Sequence, residues 1–393
     1  MSAPSPSSAP VPDPAQGRPS DAARKPCVAV LFGGRSSEHA ISCVTAGSVL
    51  EAIDRDTYDV VPIGIAKDGR WVLESGDPAR LAIAGPDRLP EVDASLPALS
   101  IAQDGGAGSM VVHQPGDVPH ALGHVDVVFP VLHGPFGEDG TIQGLLEIAD
   151  VRYVGSGVLA SSVGMDKHYM KVVFEAAGLP LLPYAVITDR RWRADAAACR
   201  AEVEALGYPV FVKPCRGGSS IGISKVRSAG ELDAAIEEAR RWDPKVVVEA
   251  SAGDGAREVE CGVLESLGDA APETSVVAEI TVGGDHDFYD FAAKYLPEEH
   301  TRLDVPADLD EAVADEVRRL SVAAFESLSC EGLARVDFFL LGDGRLVVNE
   351  INTMPGFTPT SMFPSMWAAS GVSYPELVDR LLRLALFRPT GLR

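Results

Sequence analysis

Ala334–Asn352 reads ARVDFFLLGDGRLVVNEIN, and the rest of the chain is best understood outward from it. Two apolar runs flank Gly342-Asp343-Gly344-Arg345. Asp-Gly between such runs is a strong hairpin signal, here for a two-residue type I′ turn. With Asp343-Gly344 at the tip, Gly342 pairs with Arg345, Asp337 falls opposite Glu350, and Arg335 falls opposite Asn352. Alternation places these last four on one face. Phe338, Leu340, Val347 and Ile351 are assigned to one face and Phe339, Leu341, Leu346 and Val348 to the other, so the sheet is expected to be covered. Two opposed carboxylates in such a place repel, and burying them unpaired is costly. A shared proton is one solution and a divalent cation is the other. Asn352 adds a neutral oxygen, and oxygen donors without Cys or His suit Mg²⁺. One or two Mg²⁺ ions are therefore expected at Asp337, Glu350 and Asn352. The plain alternative is an edge hairpin with solvated carboxylates.

Upstream, Lys213–Lys225 reads KPCRGGSSIGISK. It lacks the Gly-Lys-Ser/Thr of a P-loop, and strand patterns lie on both sides. Such a loop suits a flap whose backbone N–H groups lie over phosphates. Lys213 ends the entering strand and can reach a phosphate, while Ser219 and Ser220 supply hydroxyls. Lys167, on a helix read from Met165 to Ala177, is a second cation for phosphate. Glu249 ends an apolar strand, and Glu258 and Glu260 follow; acids there suit an adenine amine or ribose hydroxyls, or are ordinary strand-edge charges.

The first part of the chain is α/β in pattern. Val28–Phe32 reads as a strand, Glu38–Ile53 as a helix, Tyr58–Ile65 and Val125–Leu132 as strands, and Thr141–Ile148 as a helix. Residues 75–124 read as loop. The whole resembles an open, doubly wound parallel sheet. GGRSSEHAIS after the first strand lacks GxGxxG, which disfavours dinucleotide binding. Glu38 falls in the first helical turn and is a ready partner for an ammonium ion. His133 sits in LHGPFGEDGT, at the carboxyl end of a buried strand, where binding crevices form.

Bulk properties narrow the field. A net charge of −23 over 393 residues argues against nucleic acid and anionic membranes as partners. No apolar run reaches the ~20 residues needed to span a bilayer, and the N-terminus lacks a signal-peptide pattern. The six scattered Cys suit reduced thiols in a cytoplasmic protein. Met1–Arg24, rich in Pro, Ser and Ala, reads as a disordered tail.

Taken together, GGRSSEHAIS, HGPFGEDGTIQG, GSGVLASSVGMDK, KPCRGGSSIGISK, DFYDFAAKY, ARVDFF and NEINTMPGFTPTSMFP resemble, in order, the D-alanine–D-alanine ligase family of the ATP-grasp superfamily. The resemblance covers nearly all of residues 27–388. It implies an α/β (α+β) fold of three domains: 25–154 binding substrate, 155–250 with the flap, and 251–393 with the metal site and lid. It implies an ATP-dependent carboxylate–amine ligase of peptidoglycan synthesis, with two Mg²⁺ ions (Mn²⁺ able to substitute) on Asp337, Glu350 and Asn352. Lys167, Lys213, Ser220, Glu249, Glu258 and Lys294 would contact ATP. Glu38 would hold the first substrate's ammonium in a triad with Ser219 and Tyr295. His133 would position substrate, Arg335 and the backbone near Gly356 would face the oxyanion, and Ser361 would hold the second D-alanine's carboxylate. A homodimer is usual in the family. Ala250 stands where the family often carries Lys or Glu, and Ser251–Ala256 is longer than usual, which weakens side-chain contacts to adenine there.

The family reaction runs through an acyl phosphate formed from ATP and one D-alanine, which the second D-alanine's amine attacks. A lid over Asp285–Thr301 would exclude water. The nearest rival is a D-alanine–D-lactate ligase, against which Tyr295 speaks. A non-catalytic ATP-binding regulator is a rival of another class; it should have lost Arg335 or a metal ligand, and both are retained.

Overall fold

The computed structural model describes residues 24–391 apart from 84, 86–87, 102–107, 115, 219, 269 and 283–300. Its described residues form three sheets. The first contains β1 (Cys27–Gly33), β2 (Asp59–Ile65), β3 (Trp71–Leu73), β4 (Ala98–Ile101), β5 (Ser109–His113), β6 (His120–His124), β7 (Val127–Pro130) and β8 (Arg152–Tyr153), in the order β6-β5-β4-β3-β2-β1-β7-β8. The second contains β9 (Tyr184–Thr188), β10 (Val210–Pro214), β11 (Ser224–Val226) and β12 (Lys245–Ala250). The third contains β13 (Arg257–Leu264), β14 (Glu273–Val282), β15 (Thr301–Asp304), β16 (Leu333–Leu340) and β17 (Leu346–Asn352).

The first sheet departs from expectation on one side. β2, β1, β7 and β8 are parallel, as read, but β3 to β6 extend the sheet antiparallel. The link from Ile65 to Trp71 is too short for a crossover, so β3 must return beside β2. Three of those strands lie within residues 75–124, read as loop. Each has only four or five residues, too few to carry a clear alternation. At the N-terminus, Arg24 is not loose tail: its guanidinium pairs with Asp126 through two 2.7 Å contacts. The tail before it lies outside the described residues.

Packing joins these sheets. Helix Tyr374–Phe387 buries Leu377, Val378, Leu381 and Leu382, an i, i+1, i+4, i+5 stripe, against the face of the first sheet that also receives helix His39–Ala52. The first and third units therefore share one core. Helix Thr141–Ile148 covers the opposite face. Helices Lys167–Ala176 and Glu311–Ser327 cover one face of the third sheet, with Phe338, Val348 and Ile351 among them. The second sheet has its own core with helices Ala196–Glu204 and Ala229–Arg240.

The hairpin is right in its key pairing but not in its turn. Leu341 donates to the Arg345 carbonyl and Gly344 donates back to Leu341, both at 2.9 Å. Gly344 has φ +85°, so the loop has three residues and closes on a left-handed glycine. That moves the register by one: Leu340 pairs with Leu346 and Phe338 with Val348. A bulge at Asn349 then moves it back, so that Asp337 pairs with Glu350 and Arg335 with Asn352. Val347 and Val348 consequently exchange the faces expected of them, and Val348, not Val347, joins Phe338 in the core.

Candidate active site

Glu260, Asp337 and Glu350 occupy one rung across β13, β16 and β17. Asp337 and Glu260 are buried. Arg335 meets Asp337 with two 2.7 Å bonds, from Nε and Nη2, and its Nε lies 2.9 Å from Glu260. Burial alone would lower the guanidinium's proton affinity, but Asp337 and Glu260 outweigh it and hold it well above its ordinary value. Asn352 donates Nδ2 to Asp337 at 3.0 Å, which leaves Oδ1 as its coordinating atom. Among the described residues, no group of three or more His, Cys, Asp or Glu is arranged to hold a metal alone. Asp337, Glu350 and Asn352 still fit Mg²⁺, because that ion takes one or two carboxylates and completes its shell with water and phosphate oxygens.

Across the cavity lies the flap. β10 and β11 pair antiparallel, so residues 215–223 form the loop of a hairpin. Arg216 anchors its base on Asp243 at 2.8 Å. Ser220 has φ +57°, a strained conformation for a side-chain residue. Lys167 donates to the Gly217 carbonyl at 3.0 Å and lies 3.1 Å from Glu350, so it spans from flap to carboxylates. Burial pulls its ammonium down, Glu350 offsets this, and the net direction is upward. Glu249, expected as an acid near the nucleotide, lines the larger cavity. It is buried between Lys171 and Lys213, paired with both. Burial pushes its carboxyl up, yet the two ammonium groups prevail and hold it at about 2. Lys213 also reaches Asn349 Oδ1 at 3.5 Å, so the bulge lies against the lysine expected to meet a phosphate.

The third part adjoins the first sheet. Glu38 is the residue before helix His39–Ala52, not within its first turn. It is buried, and its Oε2 is closely approached by backbone: a Cβ on Gly134 would lie 2.4 Å away and one on Gly218 3.1 Å away. His133 is buried with Nε2 3.3 Å from Thr45, and burial pushes its imidazole below the ordinary value. Burial, then Glu38, hold the neighbouring Glu138 well above the usual carboxylate range. Ser361 accepts from the Thr358 N–H at 3.1 Å, and its Oγ would lie 3.3 Å from a Cβ on Gly356.

Two cavities result. One of about 300 Å³ is lined by Lys167, Lys213, Ser220, Glu249, Glu258, Arg335, Asp337, Glu350 and Asn352. One of about 110 Å³ is lined by Glu38, His133, Arg335, Asn352, Gly356 and Ser361. They meet at Arg335 and Asn352. Ser219, Lys294 and Tyr295, and residues 285–300 of the expected lid, lie outside the described residues. Lys171, Glu138 and Asn349 carry no role in the sequence analysis, and Glu260 appears there only as an acid near the nucleotide. Glu260 was visible by its period-two spacing from Glu258, and Lys171 by lying one helical turn after Lys167. Glu138 stands in the same motif as His133. Nothing in the sequence marks the bulge that brings in Asn349.

Family models for the D-ala D-ala ligase N-terminus and C-terminus match residues 27–156 and 173–383. The chain is 62% identical over 371 residues to the D-alanine–D-alanine ligase of Pseudarthrobacter chlorophenolicus, covering 94% of this chain and 96% of that one. It is 58% identical over 378 residues to that of Streptomyces griseus, covering 94% and 95%. Among solved structures it resembles the VanG D-Ala:D-Ser ligase from Enterococcus faecalis, with TM-score 0.78, 33% identity and coverage of 92% and 100%. It also resembles the D-alanine-D-alanine ligase from Coxiella burnetii, with TM-score 0.77, 34% identity and coverage of 93% and 95%.

Proposed function

This chain belongs to the D-alanine–D-alanine ligase family, an ATP-dependent carboxylate–amine ligase family of the ATP-grasp fold, and we propose that it joins two D-alanine molecules through an acyl phosphate. The observation that carries this reading is the junction of the two cavities. The larger is lined by lysines and a flap, the smaller by Glu38 and Ser361, and both open onto Arg335.

ATP occupies the larger cavity with its phosphates toward Lys167, Lys213 and the flap, and with Glu258 and the backbone after Glu249 toward the nucleoside. Glu38 holds the first D-alanine's ammonium, and His133, kept neutral by burial, positions it without adding a competing charge. One carboxylate oxygen of that D-alanine attacks the γ-phosphorus, and the bond to the β-bridging oxygen breaks, giving ADP and an acyl phosphate. The second D-alanine, its carboxylate held at Ser361, attacks the acyl carbon through its amine. Arg335 and the backbone near Gly356 face the acyl oxygen as it gains charge. The tetrahedral species then expels phosphate as the C–O bond breaks, and the departing phosphate takes up the proton that the amine loses. Asp337, Glu350 and Asn352 would hold Mg²⁺, which when bound would neutralise phosphate charge. Positioning and charge stabilisation therefore account for most of the catalysis.

From the family resemblance, Ser219 and Tyr295 are proposed to act with Glu38, and Lys294 with ATP. The proposed domain limits are 25–154, 155–250 and 251–393, a reading supported by one sheet falling within each span. A homodimer is supported by the apolar residues Ile148, Leu159 and Val172, exposed on three successive helices. Six free thiols suit the cytoplasm. The test is phosphate release and product identity with ATP, Mg²⁺ and, separately, D-alanine, L-alanine, D-lactate and D-serine. D-alanyl-D-alanine as the main product is expected. ATP loss indifferent to any amino acid would defeat the reading, and a mixed product with D-lactate or D-serine would redirect it.

A further inference from the structure

Lys171 lines neither cavity and is only 1% exposed. It lies on the inner side of helix Lys167–Ala176, with its ammonium paired to Glu249 Oε1 and 5.7 Å from the centroid of the Tyr184 ring. The other oxygen of that carboxylate, Oε2, holds Lys213, which does line the larger cavity. An ammonium is strongly hydrated, so burying one is expensive, and an apolar side chain would pin the helix more cheaply. The charge must therefore be explained by more than packing. A Lys213–Glu249 pair alone is neutral and would present little net charge to an anion. With Lys171 the trio carries one positive charge, and Lys213 is its member at the cavity.

We infer that Lys171 is a positioning residue that occupies half of the Glu249 carboxylate, so that Lys213 keeps its charge for the nucleotide's phosphates. The inference rests on reading the larger cavity as the ATP site. It extends that reading to a residue with no access to the ligand, acting through one shared carboxylate.

Lys171→Gln retains a hydrogen-bond donor toward Glu249 and removes the charge. It is expected to raise the KM for ATP about tenfold or more, with a smaller change in kcat. Lys171→Arg, which keeps the charge, should stay close to the native KM. The double variant Lys171→Gln with Glu249→Gln restores one net positive charge at Lys213 and should recover most of the lost affinity. A purely structural role gives the opposite pattern: the melting temperature falls, the KM does not move, and the double variant binds ATP no better than the single. Either of those last two kinetic results overturns the inference. Should Lys171→Gln be insoluble, Lys171→Met, similar in length and without the charge, takes its place: an ATP KM raised about tenfold supports the inference, and an unmoved KM overturns it. Native protein run alongside separates the two readings. If it shows no D-alanine-dependent phosphate release, the site reading fails; if it does, and Lys171→Gln keeps its KM, only the role of Lys171 falls.

Discussion

The two walls of the larger cavity carry opposite surpluses. On the third sheet, Glu260, Asp337 and Glu350 face one guanidinium, Arg335. On the flap side, Lys213 and, behind it, Lys171 share one carboxylate, Glu249, and Lys167 adds a third ammonium. The chain as a whole is strongly acidic, so the basic wall runs against the global field. Buried charge that is left over on one side is unfavourable until something of opposite sign arrives. The acidic wall suits a cation and the basic wall an anion, and a magnesium nucleotide brings both. Lys167, 3.1 Å from Glu350, already spans the gap, so each wall partly compensates the other.

The contrast sets the order of expected effects. Chelating divalent cations should reduce ATP turnover to background, because the carboxylate rung then repels phosphate; undiminished phosphate release would remove the metal from the acidic wall. Next, Arg335→Ala should lower kcat by ~10²-fold or more while ATP binding changes little. It should also destabilise the fold by about 3 kcal/mol, since Glu260 and Asp337 lose their buried partner. An unaltered kcat would take Arg335 out of the chemistry, and a normal melting curve would deny its part in holding the rung.

The basic wall has its own pH signature. Glu249 is held at about 2 against an ordinary 4.5. A depressed carboxylate stabilises the fold fully above its unfolded value and loses that contribution as pH falls toward its folded one. The melting-temperature gap between native protein and Glu249→Gln should therefore narrow on acidification from about pH 5 to about pH 3. A gap that stays constant would mean that Glu249 is not held by the two lysines.

The smallest effect is expected at the hairpin tip. Gly344 has φ +85° with nothing within 4 Å of an added Cβ. Gly344→Ala should then cost only about 1 kcal/mol of backbone strain. The ATP KM should not change, because the bulge at Asn349 and the packed strands hold the Asp337–Glu350 rung. A large loss of activity would show that the turn itself sets the register.

That hairpin also shows how much of the site was legible. Asp337 opposite Glu350 follows from counting back from Asp-Gly, yet the count reaches the right pair through two compensating displacements. The three-residue loop shifts the register one way and the Asn349 bulge shifts it back. Strand alternation is a strong signal for residues on one uninterrupted strand, and a bulge leaves no residue type behind to announce it. The short strands of 98–124 were lost for a related reason, since four or five residues carry too little periodicity. Glu249 was recognised as a strand-end acid near the nucleotide, but its two partners come from a helix and a neighbouring strand.

The sequence by itself determined the hairpin and its carboxylate pair, the flap between two strands, the α/β pattern of the first unit and the ordered motifs of the family. These are local, carried by periodicity, turn chemistry and neighbouring residues. Only the tertiary structure decided which charges share a wall: that Lys171 and Lys213 divide one carboxylate, that Glu260 completes a rung with Asp337 and Glu350, and that Arg335 stands where the two cavities meet. Periodicity reports the face a side chain occupies, whereas the partner across that face is chosen by how distant segments pack to bury apolar surface and pair the charges they enclose.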